Sequence, residues 1–139
     1  MDKDRLMHSY AVAKKMVEIG KKFNLSDDSL HELFVLGFNH DIGYEYAISG
    51  VDHNKIGGNI LRKSGYKFWK EVYYHGEINV SYSSLYLDIL NSADMSIDKY
   101  GHDVGHIKRL DDIKSRYKID SKVYITCKSL VDELVKKGL

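Results

Sequence analysis

An all-α, single-domain bundle of about six or seven helices is the architecture this sequence predicts, and three observations carry that prediction. Proline is absent from all 139 residues, where average usage would supply roughly seven, so nothing interrupts a helix. Apolar residues recur at intervals of three and four, and no convincing alternating run marks a strand. Ser, Asp and Gly punctuate the chain where helix caps belong. A chain this short encloses one modest core. Residues 1–139 therefore read as one domain, with the chemistry in 5–98 and a helical extension over 99–139.

The first helix is predicted over about Asp4 to Phe23, with His8, Val12, Met16, Ile19 and Phe23 on its inner stripe. Ser26 caps the second helix, Asp27 and Asp28 suit its dipole, and Leu25 with Leu30 form a hydrophobic staple. Its stripe reads Leu30, Phe34, Phe38 and Asp41, and it ends near Gly43. Tyr44 to Val51 lacks periodicity and is a loop. A third helix starts at Asp52, stops at Gly65, and turns His53, Ile56, Gly57 and Ile60 inward. The fourth covers about Tyr66 to His75, with Phe68, Val72 and His75 aligned. The fifth, about Ser83 to Asp98, aligns Leu87, Leu90, Asp94 and Ile97. A sixth runs from Asp103 to Tyr117 with Ile107, Leu110 and Ile113 inward. The last, Ser121 to Lys137, carries Val123, Cys127, Leu130 and Leu134 and ends on Lys136-Lys137-Gly138, as helix C-termini prefer.

Charge and composition exclude several classes of function. Lys and Arg number 21 against 20 Asp and Glu, a net charge of +1, which offers no global field for a polyanion; nucleic acid is not an expected partner. No membrane partner is expected either, because the apolar run Leu33 to Phe38 falls far short of the roughly twenty residues that span a bilayer. The single Cys127 and the acidic opening Met1-Asp2-Lys3-Asp4-Arg5 point to a reducing, cytoplasmic setting. A homodimer is compatible with the aromatic content, although no heptad or unexplained apolar face requires one.

His8, His53, His75, Asp41 and Asp94 each fall on the apolar stripe of a separate predicted helix, and His40 adjoins Asp41. A buried histidine is ordinarily just hydrogen-bonded. Two inward carboxylates are another matter, since an ionised carboxylate in a core must be paired or bind a metal. Few basic residues share these stripes, so a cation ligated by both aspartates and the histidines is the simplest resolution. Imidazole and carboxylate without thiolate suit Fe, Mn, Co, Ni or Zn, and suit Mg less. There is no G-x-S-x-G nucleophile elbow and no Gly-rich phosphate loop; Gly57-Gly58 reads as room for close helix approach.

His8, then Asn39-His40-Asp41-Ile42-Gly43, then Asp94 within Ser92-Ala93-Asp94 resemble the HD-domain superfamily of metal-dependent phosphohydrolases. Within it, the small single-domain branch that includes the symmetrical diadenosine tetraphosphatases is the most similar. The resemblance spans about Arg5 to Asp98. It implies a first metal held by His8, His40, Asp41 and Asp94, and Asp41 bridging to a second held also by His53 and His75. One or two divalent ions are thus expected, with Asp41 and His40 at the catalytic centre. A small phosphorylated substrate, a nucleotide first among candidates, would be attacked by metal-activated water.

Three further residues are assigned to substrate. Arg5 lies one turn before His8, and Lys55 lies near the start of the third helix, where free N–H groups favour an anion. Tyr44 stands where many family members have Lys, and there it packs against a base or closes the pocket. Tyr46, Tyr73 and Tyr74 are further candidates for that wall. Arg109 and Arg116 read as part of a solvated, mixed-charge helix, and His31, His102 and His106 need no role. The alternatives are a ligand-binding or regulatory HD-like module without turnover, a di-iron oxygenase-type centre, and a purely structural bundle whose aspartates pair with Arg5 or Lys15.

Overall fold

Helix α1 (Lys3–Lys22) begins where the side chain of Asp2 accepts a hydrogen bond from the Arg5 amide, a cap that the Asp-Lys-Asp opening supplies. The computed structural model describes residues 2–139. It continues with α2 (Asp27–Asn39), a short 3-10 turn (Ile42–Glu45), α3 (His53–Lys63), α4 (Trp69–Tyr74), α5 (Leu85–Asp94), α6 (Gly105–Tyr117) and α7 (Lys122–Lys136). The fold is all-α. Among the described residues the only β-type pairing is one bridge between Ile97 and Asp103. Among the described residues no helix is long and apolar enough to cross a membrane.

Helices α1, α2 and α5 enclose the main core, in which Val12, Met16, Leu33, Leu36, Ile89 and Leu90 are fully buried. Each such side chain contributes about 1.5–3 kcal/mol by leaving water. Helices α3 and α4 pack together beside it. α6 and α7 form a hairpin around a second, smaller cluster of Met95, Leu110, Ile113, Leu130, Val131 and Leu134. The cleft described below lies between the main bundle and this hairpin.

Several expectations are corrected here. α2 turns Leu33, Leu36 and Gly37 inward; Phe38 is exposed and Phe34 only half-buried. The reason is Gly37: a Cβ there would stand 2.7 Å from the Cα of Ala13, so α2 docks on α1 through its small residue and its phenylalanines fall to the flank. α2 also stops at Asn39, four residues before Gly43. Phe23, Ile107 and Val123, expected inward, are exposed at helix margins. On α3 the buried residues are Asn54, Gly57 and Gly58, so Gly57 is inward as expected while His53, Ile56 and Ile60 are half-buried, and Asp52 is left-handed with no side-chain cap bond. α4 and α5 are shorter than expected, because His75 is extended and residues after Asp94 turn away.

Ser26, Ser84 and Ser121 each accept a hydrogen bond from the amide three residues on, so these N-caps act as such. Leu25 and Leu30 both pack against the main core.

Candidate metal centre

The six predicted ligands converge at helix ends. His8 alone is in mid-helix, one turn after the Arg5 amide that Asp2 caps. His40 is the C-cap of α2, His53 the first residue of α3, His75 the C-cap of α4 and Asp94 the last residue of α5. Asp41 lies in the turn after α2, just before the 3-10 segment. Two adjacent residues therefore reach one point, which a continuing helix would have prevented by about 100° of rotation.

Glycine allows the second helix pair to approach. A Cβ on Gly43 would stand 1.8 Å from the carbonyl oxygen of His53, and one on Gly58 would stand 2.5 Å from the Cβ of Tyr73. Any larger residue at 43 would push α3, and His53 with it, away from Asp41.

Asp41 divides its two oxygens between two groups of imidazoles. Its Oδ2 is 3.3 Å from His40 Nε2 and 3.6 Å from His8 Nε2. Its Oδ1 is 3.5 Å from His75 Nε2 and 3.6 Å from His53 Nε2. Asp94 Oδ1 closes the first group, 2.9 Å from His8 Nε2 and 3.4 Å from His40 Nε2. With metal–donor bonds of about 2.1 Å, neighbouring donors stand roughly 3.0 Å apart in an octahedron and 3.4 Å in a tetrahedron. The observed spacings are those of polyhedron edges.

Hydrogen bonding on the far side of each ring fixes the tautomer. Nδ1 of His40 donates to Gly37 O at 2.6 Å, of His75 to Val72 O at 2.6 Å, of His53 to Gly50 O at 3.1 Å, and of His8 to Asp98 O at 2.8 Å. A carbonyl can only accept, so Nδ1 of all four rings carries a proton and all four Nε2 atoms, each a lone pair for a metal once any second proton has left, face the carboxylates. Three of these acceptors are the carbonyls three residues earlier; for His40 and His75 they are last-turn groups that a helix leaves unsatisfied. Lone pairs directed at carboxylate oxygens repel unless a proton or a metal ion lies between them. Nε2 of His40 and of His75 are buried and make no hydrogen bond.

Electrostatics agree with that geometry. Burial opposes charging of His40, but the carboxylates of Asp41 and Asp94 outweigh it and hold its metal-free pKa well above the usual imidazole value. Burial likewise opposes ionisation of Asp41 and Asp94, and the surrounding imidazoles hold both well below the usual carboxylate range. Burial and the neighbouring charge of His75 lower His53. The orphaned Nε2 atoms, the lone-pair convergence and the thiolate-free donor set all fit a divalent cation.

A family model described as HD domain matches residues 5–97. The chain belongs to the HD-domain family. That family is one of metal-dependent phosphohydrolases that bind divalent metals, and its span contains all six candidate ligands. No curated protein and no solved structure matched the chain. The HD match stops at 97, and residues beyond it are therefore read from their own contacts.

Arg5 donates from Nη1 to Asp41 Oδ2 at 3.0 Å, and its guanidinium lies 3.6 Å from the centre of the Tyr44 ring. The other face of that ring stacks on His53, 4.1 Å between centroids, since two planar groups so close cannot share one face. Tyr44 is thus a wall that buttresses His53, with no face left for a base. Lys55 is paired with Glu77 at 3.5 Å. Arg5 is the partner the purely structural alternative gave Asp41, but Lys15 bonds Asp103, and among the described residues no lysine or arginine pairs with the Asp94 side chain, so that alternative accounts for one aspartate of the two.

The centre opens into a cleft of about 540 Å³, lined on one side by Arg5, Tyr44 and His53 and on the other by Arg109, Arg116 and Tyr117. That size suits a small-molecule ligand. Tyr46, Tyr73 and Tyr74 do not line it. Arg109, expected on a solvated face, is a cleft residue with only 14% of its side chain exposed. Sequence reading also missed Asn54, whose Nδ2 donates to the carbonyls of Tyr73 and His75, and Asn91, whose Oδ1 accepts from Gly76 N. Both pin the His75 segment. Their only signal was proximity, Asn54 beside His53 and Asn91 one turn before Asp94.

A second groove, about 580 Å³ between α4 and the start of α5, is lined by Phe68, Tyr82 and Tyr86 and includes buried Glu71. The hydroxyls of Tyr82 and Ser84 satisfy that carboxylate, and none of the candidate metal clusters among the described residues lies there.

Proposed function

We propose that this protein is a metal-dependent phosphohydrolase acting on a small phosphate ester or anhydride, with a nucleotide the first candidate. One observation carries the reading: four tautomer-locked imidazole lone pairs converge on two carboxylates inside a ligand-sized cleft. His8, His40, Asp41 and Asp94 would hold one ion, and Asp41, His53 and His75 a second. When bound, such ions supply Lewis acidity toward a phosphoryl oxygen and lower the pKa of water in their shell.

The remaining work belongs to the chain. His40 and Asp41 set the position of the reacting phosphate by fixing the centre at the cleft floor. Arg5 orients Asp41 and presents the rest of its fork to a substrate oxygen, a geometry suited to phosphate. Lys55, outside the cleft lining but paired with the cleft residue Glu77, would meet an anion by exchanging Glu77 for it. Tyr44 keeps His53 turned inward. Residues 1–139 act as one unit, because α6 and α7 supply the far wall of the cleft.

The test is metal content of protein purified without added metal, alongside Asp41→Ala. The native chain should carry about one or two divalent ions per molecule, and Asp41→Ala essentially none, with phosphate release falling more than about 1000-fold. Stoichiometric metal retained by the variant, or none in either protein, would sink the proposal.

A further inference from the structure

His75 stands at the corner of the candidate metal centre that local structure supports least. Its helix, α4, has six residues, too few to hold a conformation by itself. The chain leaves the helix there: His75 is extended, with ψ at 143°, and Gly76 follows at φ +80° with open space where a Cβ would be. The local ties are long. The amide of His75 reaches Val72 O at 3.4 Å, and that of Glu77 reaches Tyr74 O at 3.3 Å. Ligands of the first group rest on more: His8 lies inside α1, of twenty residues, and His40 ends α2, of thirteen.

Two buried asparagines hold the peptide that follows His75. Asn54 Nδ2 donates to His75 O at 3.3 Å and to Tyr73 O at 3.1 Å. Asn91 Oδ1 accepts from Gly76 N at 2.8 Å. His75 O and Gly76 N belong to one peptide unit, and across a trans peptide they point in opposite directions. The two side chains therefore grip that unit from its two edges and set the ψ of His75. Carbonyls only accept and a backbone N–H only donates, so the orientation of both side-chain amides is fixed. Their exposures are 9% and 4%, which limits competition from water. Each comes from an element that carries another ligand: Asn54 follows His53 on α3, and Asn91 lies one turn before Asp94 on α5.

Resting on the phosphohydrolase reading, we propose that Asn54 and Asn91 are positioning residues for the second cation, acting through His75. Release of the clamped peptide lets His75 Nε2 drift from Asp41 Oδ1, 3.5 Å away, whereas His8, His40 and Asp94 keep their places. The clamp thus decides how many ions the centre holds.

Co²⁺ is the probe. The metal-free full chain is titrated with it by calorimetry, and bound ions are counted after desalting. Native protein should take up about two ions. Asn54→Leu and Asn91→Leu should each weaken the second at least tenfold, the loss expected when a metal ligand is deprived of its support, while the first stays within about twofold. Aspartate variants separate positioning from charge. Asn91→Asp keeps an oxygen for the Gly76 amide and should retain both ions. Asn54→Asp keeps the size but offers no amide protons to the two carbonyls. It should lose the second ion even though it adds a negative charge beside His53. Circular dichroism checks the fold, and with two variants at each position a misfolded one is replaced by the other. Native-like affinity for the second ion in the Asn54 variants, its loss from Asn91→Asp, or weakening of both ions together would overturn this inference. So would a native chain that binds a single ion, which leaves the phosphohydrolase reading standing. A native chain that binds no Co²⁺ would take both down.

Discussion

The two sides of the Asp41 carboxylate are built differently. On the Oδ2 side, His8 and His40 are buried, and Asp94 adds a second carboxylate. On the Oδ1 side there is no second carboxylate; His53 is a quarter exposed and hangs on Gly50 and Tyr44 in the irregular stretch before α3. Arg5, bonded to Oδ2, offsets part of the charge that Asp94 adds, so burial, rigidity and the extra carboxylate donor are what favour the first side. A cation should therefore bind more tightly between His8, His40 and Asp94 than between His53 and His75, and the second position should be the one that empties first.

The sharpest way to break this asymmetry is to remove one imidazole from each side. His40→Ala should lose the first ion and, because Asp41 loses its neighbour, weaken the second, cutting overall metal affinity by more than about 100-fold. His53→Ala should leave about one ion per chain with near-native affinity. Metal analysis after dialysis against a graded chelator distinguishes them, and equal losses in the two variants would mean that the sides are not distinct.

A smaller effect should follow from Gly43→Ala, whose new Cβ meets the His53 carbonyl. Displacement of α3 should cost about 1–3 kcal/mol of stability and lower the affinity of the second position only. Thermal melts with metal stoichiometry check both parts; an unchanged second ion would show that α3 does not position it.

The mildest probe is pH, applied to metal-free protein. His40 has a raised pKa, so its stabilising contribution is complete below the ordinary value of 6.5 and is lost as pH climbs through the raised one. Asp41 and Asp94 have lowered pKa values, so theirs is present above the ordinary 3.8 and is lost as pH falls through the lowered ones. Metal-free protein should then be most stable between those two ordinary values and weaken as the pH rises through the raised value of His40. Metal must displace the His40 proton, so the gap in Tm between loaded and metal-free protein should widen as pH rises. A gap that narrows over that range would contradict the assignment of His40.

Much of the fold was legible because it is local. The serine cap at 26, the start of the last helix at Ser121, the stripe of α1 up to Ile19, and the absence of proline depend on residues within a turn or two of one another. The face of α2 was misread because hydrophobic size points to Phe34 and Phe38, whereas docking is decided by how closely Gly37 lets α1 approach. Ile107 misled in the same way: it has the right spacing on α6, but the partner helix α7 packs on the side of Leu110 and Ile113.

The candidate ligands were legible for a different reason. An inward aspartate is costly enough that sequence periodicity alone marks Asp41 and Asp94 as exceptions, and the His-Asp-Ile-Gly string with its flanking histidines supplies the company they need. What periodicity cannot contain is the geometry that makes the set act together. That both Asp41 oxygens are shared out, that every ring proton points to a carbonyl, and that Arg109 crosses from α6 to the back of Asp94 are facts about distances between residues far apart in the chain. Helical class and chemical character follow from neighbours in sequence, whose energies are short-ranged. The order of the cleft follows from which helix faces can approach, and only the packed chain decides that.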